Sequence, residues 1–131
     1  MRGYAAMTAQ EVSEFFHSQS LDISDIYAPT SSFIAAHPDL DEEEIEFTLS
    51  MVAAEDALEM KSAKSGAACV LAIEIPGQCI GESFEMSVAL LNPLSWEDVQ
   101  CLFEVSADGE ELTWFATQEV EAQLPIWLKQ V

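Results

Sequence analysis

The sequence predicts an α+β fold in which helices come first, among them one long helix over residues 41–63. These helices pack on an antiparallel sheet of about four strands over residues 67–117. Two observations lead to this prediction. A helical apolar period gives way to a period of two near residue 67, and Asp108-Gly109 separates two alternating segments. The length of 131 residues fits a single domain over 1–131 with a sizeable core.

The long helix has the clearest start signal in the chain. Asp41 and Glu44 have capping-box spacing, and Leu40 and Ile45 fit a hydrophobic staple over that cap. Glutamates crowd the first turns, where the helix dipole favours negative charge. Apolar residues at helical spacing predict a broad buried face made of Ile45, Phe47, Leu49, Met51, Val52, Ala53, Ala54 and Leu58. Lys61 and Lys64 are expected in the last turn, with Gly66 ending the helix.

A shorter helix is predicted from Thr8 to about Ser18, because Thr8 and Glu11 form a second capping box. The chain is expected to enter this helix directly from Met1, with nothing that resembles a signal peptide. Residues 19–30 are rich in turn formers. Residues 31–37 are expected to add a helical turn or two before Pro38.

The strands follow the long helix. Residues 67–75 are apolar on nearly both faces, which is typical of a central strand covered on each side. Residues 82–91 alternate as one strand. Residues 99–106 and 110–117 flank Asp108-Gly109, and a two-residue loop there sets Val105 opposite Leu112 and Phe103 opposite Trp114. Trp114 is therefore expected in the core, and the remaining residues form a short C-terminal helix or tail.

Charge is the unusual property of this chain. There are 24 acidic residues against 4 lysines and arginines, a formal net charge of −20. Nucleic acid and anionic membranes are excluded as direct partners, because they bind clustered cations. A basic protein complements such a surface and would associate with it quickly. The alternative is that the charge only keeps the chain in solution.

Motifs for catalysis, cofactors or metals are absent from the sequence. The two histidines and three cysteines have no ligand or nucleophile spacing, and the carboxylates of residues 39–46 lack the glycine bend of a calcium loop. The sequence therefore predicts no enzyme, no cofactor and no metal site. Three reduced cysteines fit a cytoplasmic protein, with Cys69 and Cys101 filling the core. No apolar run has membrane-spanning length.

Three groups of residues are predicted to bind the partner. They share exposed negative charge, and one adds an aromatic ring beside acids, as hot spots for basic partners do. The groups are Asp39, Asp41, Glu42, Glu43 and Glu46 in the early helix; Trp96, Glu97 and Asp98 in a loop; and Glu110 and Glu111 after the hairpin.

In size, charge and architecture the whole chain resembles the small acidic immunity proteins that bacteria pair with secreted toxins. No motif carries this resemblance. It implies a cytoplasmic antitoxin that neutralises a basic, nuclease-like toxin by occluding its active site. The alternatives are a type III secretion chaperone for an effector, against which the helices-first order argues, and a nucleic-acid mimic. A monomer and a dimer are both compatible with the sequence.

Overall fold

The computed structural model describes residues 1–62 and 64–130, and within them the chain is α+β, with a seven-stranded antiparallel sheet and four helices. The strands are β1 (Arg2–Thr8), β2 (Ser20–Leu21), β3 (Asp25–Tyr27), β4 (Ala68–Glu74), β5 (Ile80–Ser83), β6 (Ser87–Leu90), β7 (Leu94–Ser95), β8 (Val99–Val105) and β9 (Leu112–Ala116). The helices are α1 (Ala9–Ser18), α2 (Ser31–Ala36), α3 (Glu42–Met60) and α4 (Val120–Leu128). The main sheet has the order β5-β6-β3-β1-β4-β8-β9, and β2 pairs separately with β7.

The chain begins with a central strand, so the prediction that helices come first is wrong. β1 pairs with β4 along its whole length, from Arg2 opposite Glu74 to Thr8 opposite Ala68. Most residues of β1 are buried whichever face they point to. A strand covered on both faces has no polar alternation, so its sequence lacks the period of two that reveals a half-buried strand.

The prediction of a central strand after the long helix is confirmed. β4 is buried on both faces through Ile73, and only its last residue, Glu74, is exposed. On one face of the sheet, buried residues of the strands pack against α3 and α2, which contribute Leu49 and Phe33 to this core. On the other face, buried residues of the strands pack against α1 and α4, which contribute Phe15 and Trp127.

Both predicted helix starts are confirmed. The Thr8 hydroxyl accepts a hydrogen bond from the Glu11 N–H at 3.3 Å, and the Asp41 carboxylate accepts one from the Glu44 N–H at 2.8 Å. α3 ends at Met60, one residue before Lys61, whose backbone is extended. The predicted end at residue 63 falls on Ala63, which lies outside the described residues.

Two details of the predicted strands need correction. The segment 82–91 is not one strand but the hairpin β5–β6, whose turn is closed by the Phe84 N–H donating to the Ser87 carbonyl at 2.7 Å. The loop between β8 and β9 is not the predicted two-residue turn, in which both Asp108 and Gly109 would have positive φ. Of its residues only Gly109 has positive φ, at 77°, and its N–H donates to the Ser106 carbonyl at 2.9 Å.

The register of the β8–β9 hairpin is as predicted, with Val105 opposite Leu112 and Phe103 opposite Trp114. Trp114, however, is not a core residue, because 57% of it is exposed. It lies on the edge strand β9, whereas α3 packs mainly over β1 and β4.

The C-terminal tail is the helix α4, with Pro125 inside it. Its Trp127 is fully buried, packs edge-on against Phe115 with ring centroids 5.2 Å apart, and donates its indole N–H to Glu104 at 3.0 Å. The cysteines at 69, 79 and 101 are all buried and free. Among the described residues, no helix combines the length and apolarity needed to cross a membrane.

A candidate protein-binding surface at the start of α3

The structure separates the predicted partner-binding residues into three places. One group lies at the start of α3, and a second lies in a short 3-10 turn before β8. The third lies at the tip of the β8–β9 hairpin, where Gly109 is close to Leu58 near the end of α3. Along the axis of α3, Leu58 lies about 24 Å from Glu42, so the helix separates the first group from the third.

The start of α3 presents a compact group of carboxylates, here called the α3 acidic cluster: Asp39, Asp41, Glu42, Glu43 and Glu44. All five are exposed. The side chains of Asp41 and Glu44 are engaged in the capping box. Within the described chain, the carboxylates of Asp39, Glu42 and Glu43 form no hydrogen bond or ion pair. These three are therefore free to meet a partner, on a helix end whose geometry the cap fixes.

Glu46 does not belong to this outward surface. It is half-buried and lines a hollow of about 770 Å³ together with Arg2, Glu74 and Gln100. The Arg2 guanidinium lies 5.7 Å from the Tyr4 ring and donates to the Cys101 sulfur at 3.5 Å. Burial raises the pKa of Tyr4 to about 12, against the opposing charge of Arg2. Glu46 thus lines the same hollow as the half-buried Arg2 and stands apart from the exposed carboxylates of the cluster.

Trp96 is also placed differently from the sequence expectation. Its ring packs edge-on against Phe15 and Phe16 of α1, with centroids 5.0 and 5.3 Å away, so it is partly buried on the α1 face of the sheet. Asp98 accepts a hydrogen bond from the Ser95 N–H at 3.1 Å, while Glu97 is exposed. This turn therefore has a packing role, and Glu97 is its one exposed carboxylate.

The hairpin tip carries the third group. Asp108 accepts hydrogen bonds from the Ser106 hydroxyl at 2.6 Å and the Glu110 N–H at 3.0 Å. The first of these bonds contributes most to lowering the pKa of Asp108. Glu110 and Glu111 are exposed, and their carboxylates have no hydrogen-bond partner in the part of the chain described. They form a second acidic site at the opposite end of α3.

Little of the negative charge is compensated internally. In residues 1–62 and 64–130 the one ion pair joins the Met1 ammonium to Glu74 at 3.4 Å, at the surface. Glu55 and Glu59 are exposed further along α3 and extend the acidic face beyond the predicted site. Glu55 and Glu59 lie on the same side of the helix as Glu44, and this spacing in the sequence indicates that the acidic face continues along α3. Among the same residues, no group of three potential metal ligands converges.

The fold and this surface define an acidic α+β protein that presents free carboxylates on a capped helix. The chain belongs to a family of unknown function (DUF6912), which matches residues 1–105. No curated protein and no solved structure matches the chain. The matched range runs from β1 to the last residue of β8, so it contains the α3 acidic cluster, whereas Glu110, Glu111, β9 and α4 lie beyond it.

Proposed function

We propose that this protein is an acidic protein-binding inhibitor, an immunity protein or antitoxin that neutralises a basic, nuclease-like bacterial toxin by occluding its active site. The observation that carries the proposal is the α3 acidic cluster, where Asp39, Glu42 and Glu43 are exposed and lack any described internal partner. Nucleases bind substrate phosphates through clustered lysines and arginines. Carboxylates held on a rigid helix end can occupy the same cationic cleft and exclude the substrate.

The physical advantage of such a surface lies in association rate and partner choice. Complementary charge steers the encounter of two proteins and suppresses wrong partners more than it adds affinity. A net charge of −20 with little internal compensation supplies a strong steering field. The Asp41–Glu44 capping box holds the cluster in one backbone geometry, so little ordering is required on binding.

The test is co-expression with the basic proteins encoded beside the gene. We expect one of them to be toxic alone, to degrade nucleic acid, and to lose this activity when an equimolar amount of the acidic protein is added. A variant with Asp39, Glu42 and Glu43 changed to lysine should fail to protect. A matched variant with lysine at the exposed positions Glu14, Glu82 and Glu121 has the same net charge and should protect. Equal protection by both variants, or no suppression by the natural chain, contradicts the proposal.

A second candidate is a type III secretion-type chaperone, which one observation favours. Because β1 precedes α1, strands and helices interleave at the start of the chain, and the argument from helices-first order no longer opposes this class. Such chaperones are dimers that bind an unfolded segment. Native mass separates the two candidates: a monomer that binds a folded nuclease supports the inhibitor, and a dimer that binds only an unfolded effector segment supports the chaperone.

A further inference from the structure

β9 forms one of the two edges of the main sheet, β5 being the other, and the direction of its backbone groups can be deduced from the hairpin. The Ser106 N–H donates to the Glu111 carbonyl at 2.9 Å, which makes these two residues a hydrogen-bonded pair. In an antiparallel ladder, hydrogen-bonded and non-bonded pairs alternate. Leu112, opposite Val105, and Trp114, opposite Phe103, are therefore in non-bonded pairs, and their N–H and C=O groups point away from β8.

An independent contact fixes the same direction. Ala116 is two residues beyond Trp114 and shares its orientation in the strand. Its N–H donates to the Glu119 carboxylate at 2.9 Å, outside the β8–β9 ladder. Glu119 thus closes the far end of the edge, while no described residue pairs with the outer groups of Leu112 and Trp114. The edge offers one short set of backbone donors and acceptors.

An apolar margin lies beside this edge on the α3 face of the sheet, made of Leu58, Phe103, Leu112 and Trp114, and here called the β9 margin. Leu58, Phe103 and Leu112 are partly buried at the rim of the α3-side core. Trp114 is 57% exposed. Leu58 lies against the hairpin at Gly109. The edge and its aromatic margin are therefore presented together.

We infer that β9 receives an extended, positively charged segment of the partner as an added strand. This inference rests on the proposed function for the existence of a basic protein partner. Strand addition uses backbone hydrogen bonds for affinity and alternate side chains for specificity. The backbone groups of Leu112 and Trp114 supply the bonds, and the β9 margin supplies contacts for apolar side chains or for cations over the Trp114 ring.

Charge decides which occupant fits this edge. Glu110, Glu111 and Glu119 are exposed around β9, and neither β9 nor its hairpin loop contains a lysine or an arginine. A second copy of the chain would bring a net charge of −20 against another −20, so edge-to-edge self-association is opposed. A strand that carries lysine or arginine at alternate positions is attracted instead.

The experiment uses two synthetic peptides and the full chain labelled with ¹⁵N. The probe alternates lysine and valine with blocked ends. Its control has the same sequence but is N-methylated at two consecutive central residues, so that it keeps the charge while both of its edges lack a backbone donor. We expect the probe to shift the amide signals of Leu112 and Trp114 and to slow their hydrogen exchange at least 10-fold, and the methylated peptide to do neither.

Two variants separate the backbone from the indole. Trp114→Pro removes the outward N–H without removing a ladder bond to β8, as proline on an edge strand does, and should abolish the β9 shifts. Trp114→Thr keeps the N–H and should weaken binding several-fold while retaining them. If both peptides shift the amide signals equally, binding is driven by charge and does not use the backbone of β9. If the natural chain is a dimer and Trp114→Pro makes it a monomer, β9 pairs with a second copy. Either result overturns the inference. The peptide experiment tests only strand addition at β9. Its result therefore does not depend on whether the protein inhibits a nuclease.

Discussion

The Tyr27 hydroxyl donates a hydrogen bond to the Asp56 carboxylate and thereby joins β3 to α3. This contact matters because Tyr4 opposite Tyr27 is the one residue pair assigned between β1 and β3 in the described chain. The outer strands β3, β6 and β5 are therefore attached to the sheet centre through a short seam. The Tyr27–Asp56 bond is a second link across it.

Tyr27 should make stability fall at alkaline pH. Burial, followed by the hydrogen bond to Asp56, raises the pKa of Tyr27 from 10.0 to about 12. The folded state therefore holds the proton after the unfolded state has lost it, so the stabilisation is complete below pH 10 and is lost towards pH 12. Tyr27→Phe should lower stability at pH 8 and flatten its decline above pH 10. Urea unfolding at several pH values measures this change. Part of the decline in stability above pH 10 should remain in the variant, because burial raises the pKa of Tyr4 and of Cys69 to about 12 as well. An unchanged slope contradicts the assignment.

Gly109→Val should destabilise the β8–β9 hairpin. The φ of Gly109 is +77°, and a Cβ there would lie 2.8 Å from the Leu58 side chain. Such backbone strain costs about 1–3 kcal/mol. Gly77 is the matched control, because it has open space around it and no positive φ. Thermal melts should show a loss for Gly109→Val and almost none for Gly77→Val. Equal melting temperatures would mean that the described turn is wrong.

Leu71→Ala tests whether β4 is the centre of the fold. Leu71 is fully buried on β4 between β1 and β8, on the face packed with α1 and α4. Truncation of a buried leucine costs about 2–5 kcal/mol through lost transfer energy and the cavity left behind. Leu91 is 65% exposed, and Leu91→Ala should change stability by less than about 0.5 kcal/mol. Comparable losses in chemical denaturation would contradict the layered arrangement.

Salt should stabilise the folded chain. The one ion pair among the described residues involves the Met1 ammonium, so the 24 acidic residues repel one another with little compensation. Salt at about 0.1 M screens exposed charges beyond about 10 Å. The melting temperature should therefore rise from very low to moderate NaCl concentration. A fall would indicate attractive charge pairs beyond the Met1–Glu74 pair found among the described residues.

Local signals in the sequence were sufficient for some parts of the fold. Both capping boxes involve residues three apart, so they could be predicted without knowledge of the tertiary structure. The β8–β9 register followed from apolar residues meeting across the hairpin. Burial of β4 on both faces followed from its continuous apolar run.

The remaining features depend on contacts between distant residues. β1 has small residues such as Gly3 and Ala5 and no alternation. Its role emerges only from pairing with β4, whose residues lie 60 to 72 positions later in the chain. Cross-strand pairing set the register of Trp114 but could not reveal that α3 leaves the edge uncovered. Trp96 is held by Phe15 and Phe16 on the first helix. Composition predicted an acidic surface, but not which carboxylates the structure would leave free.

The central claim is that the α3 acidic cluster steers a basic partner, and association kinetics test it most directly. Surface plasmon resonance at several salt concentrations should measure the on-rate of the partner encoded beside the gene. Three chains are compared: the natural one, the variant with lysine at Asp39, Glu42 and Glu43, and the matched variant with lysine at Glu14, Glu82 and Glu121.

For the natural chain, the on-rate should fall steeply with salt while the off-rate changes less. The variant at the α3 acidic cluster should associate at least 10-fold more slowly at low salt, and the matched variant much less so. Melting temperatures check that both variants fold, since each charge lost at the start of α3 removes about 0.3–1 kcal/mol of dipole stabilisation. A flat salt dependence with equal on-rates for all three chains would contradict the claim.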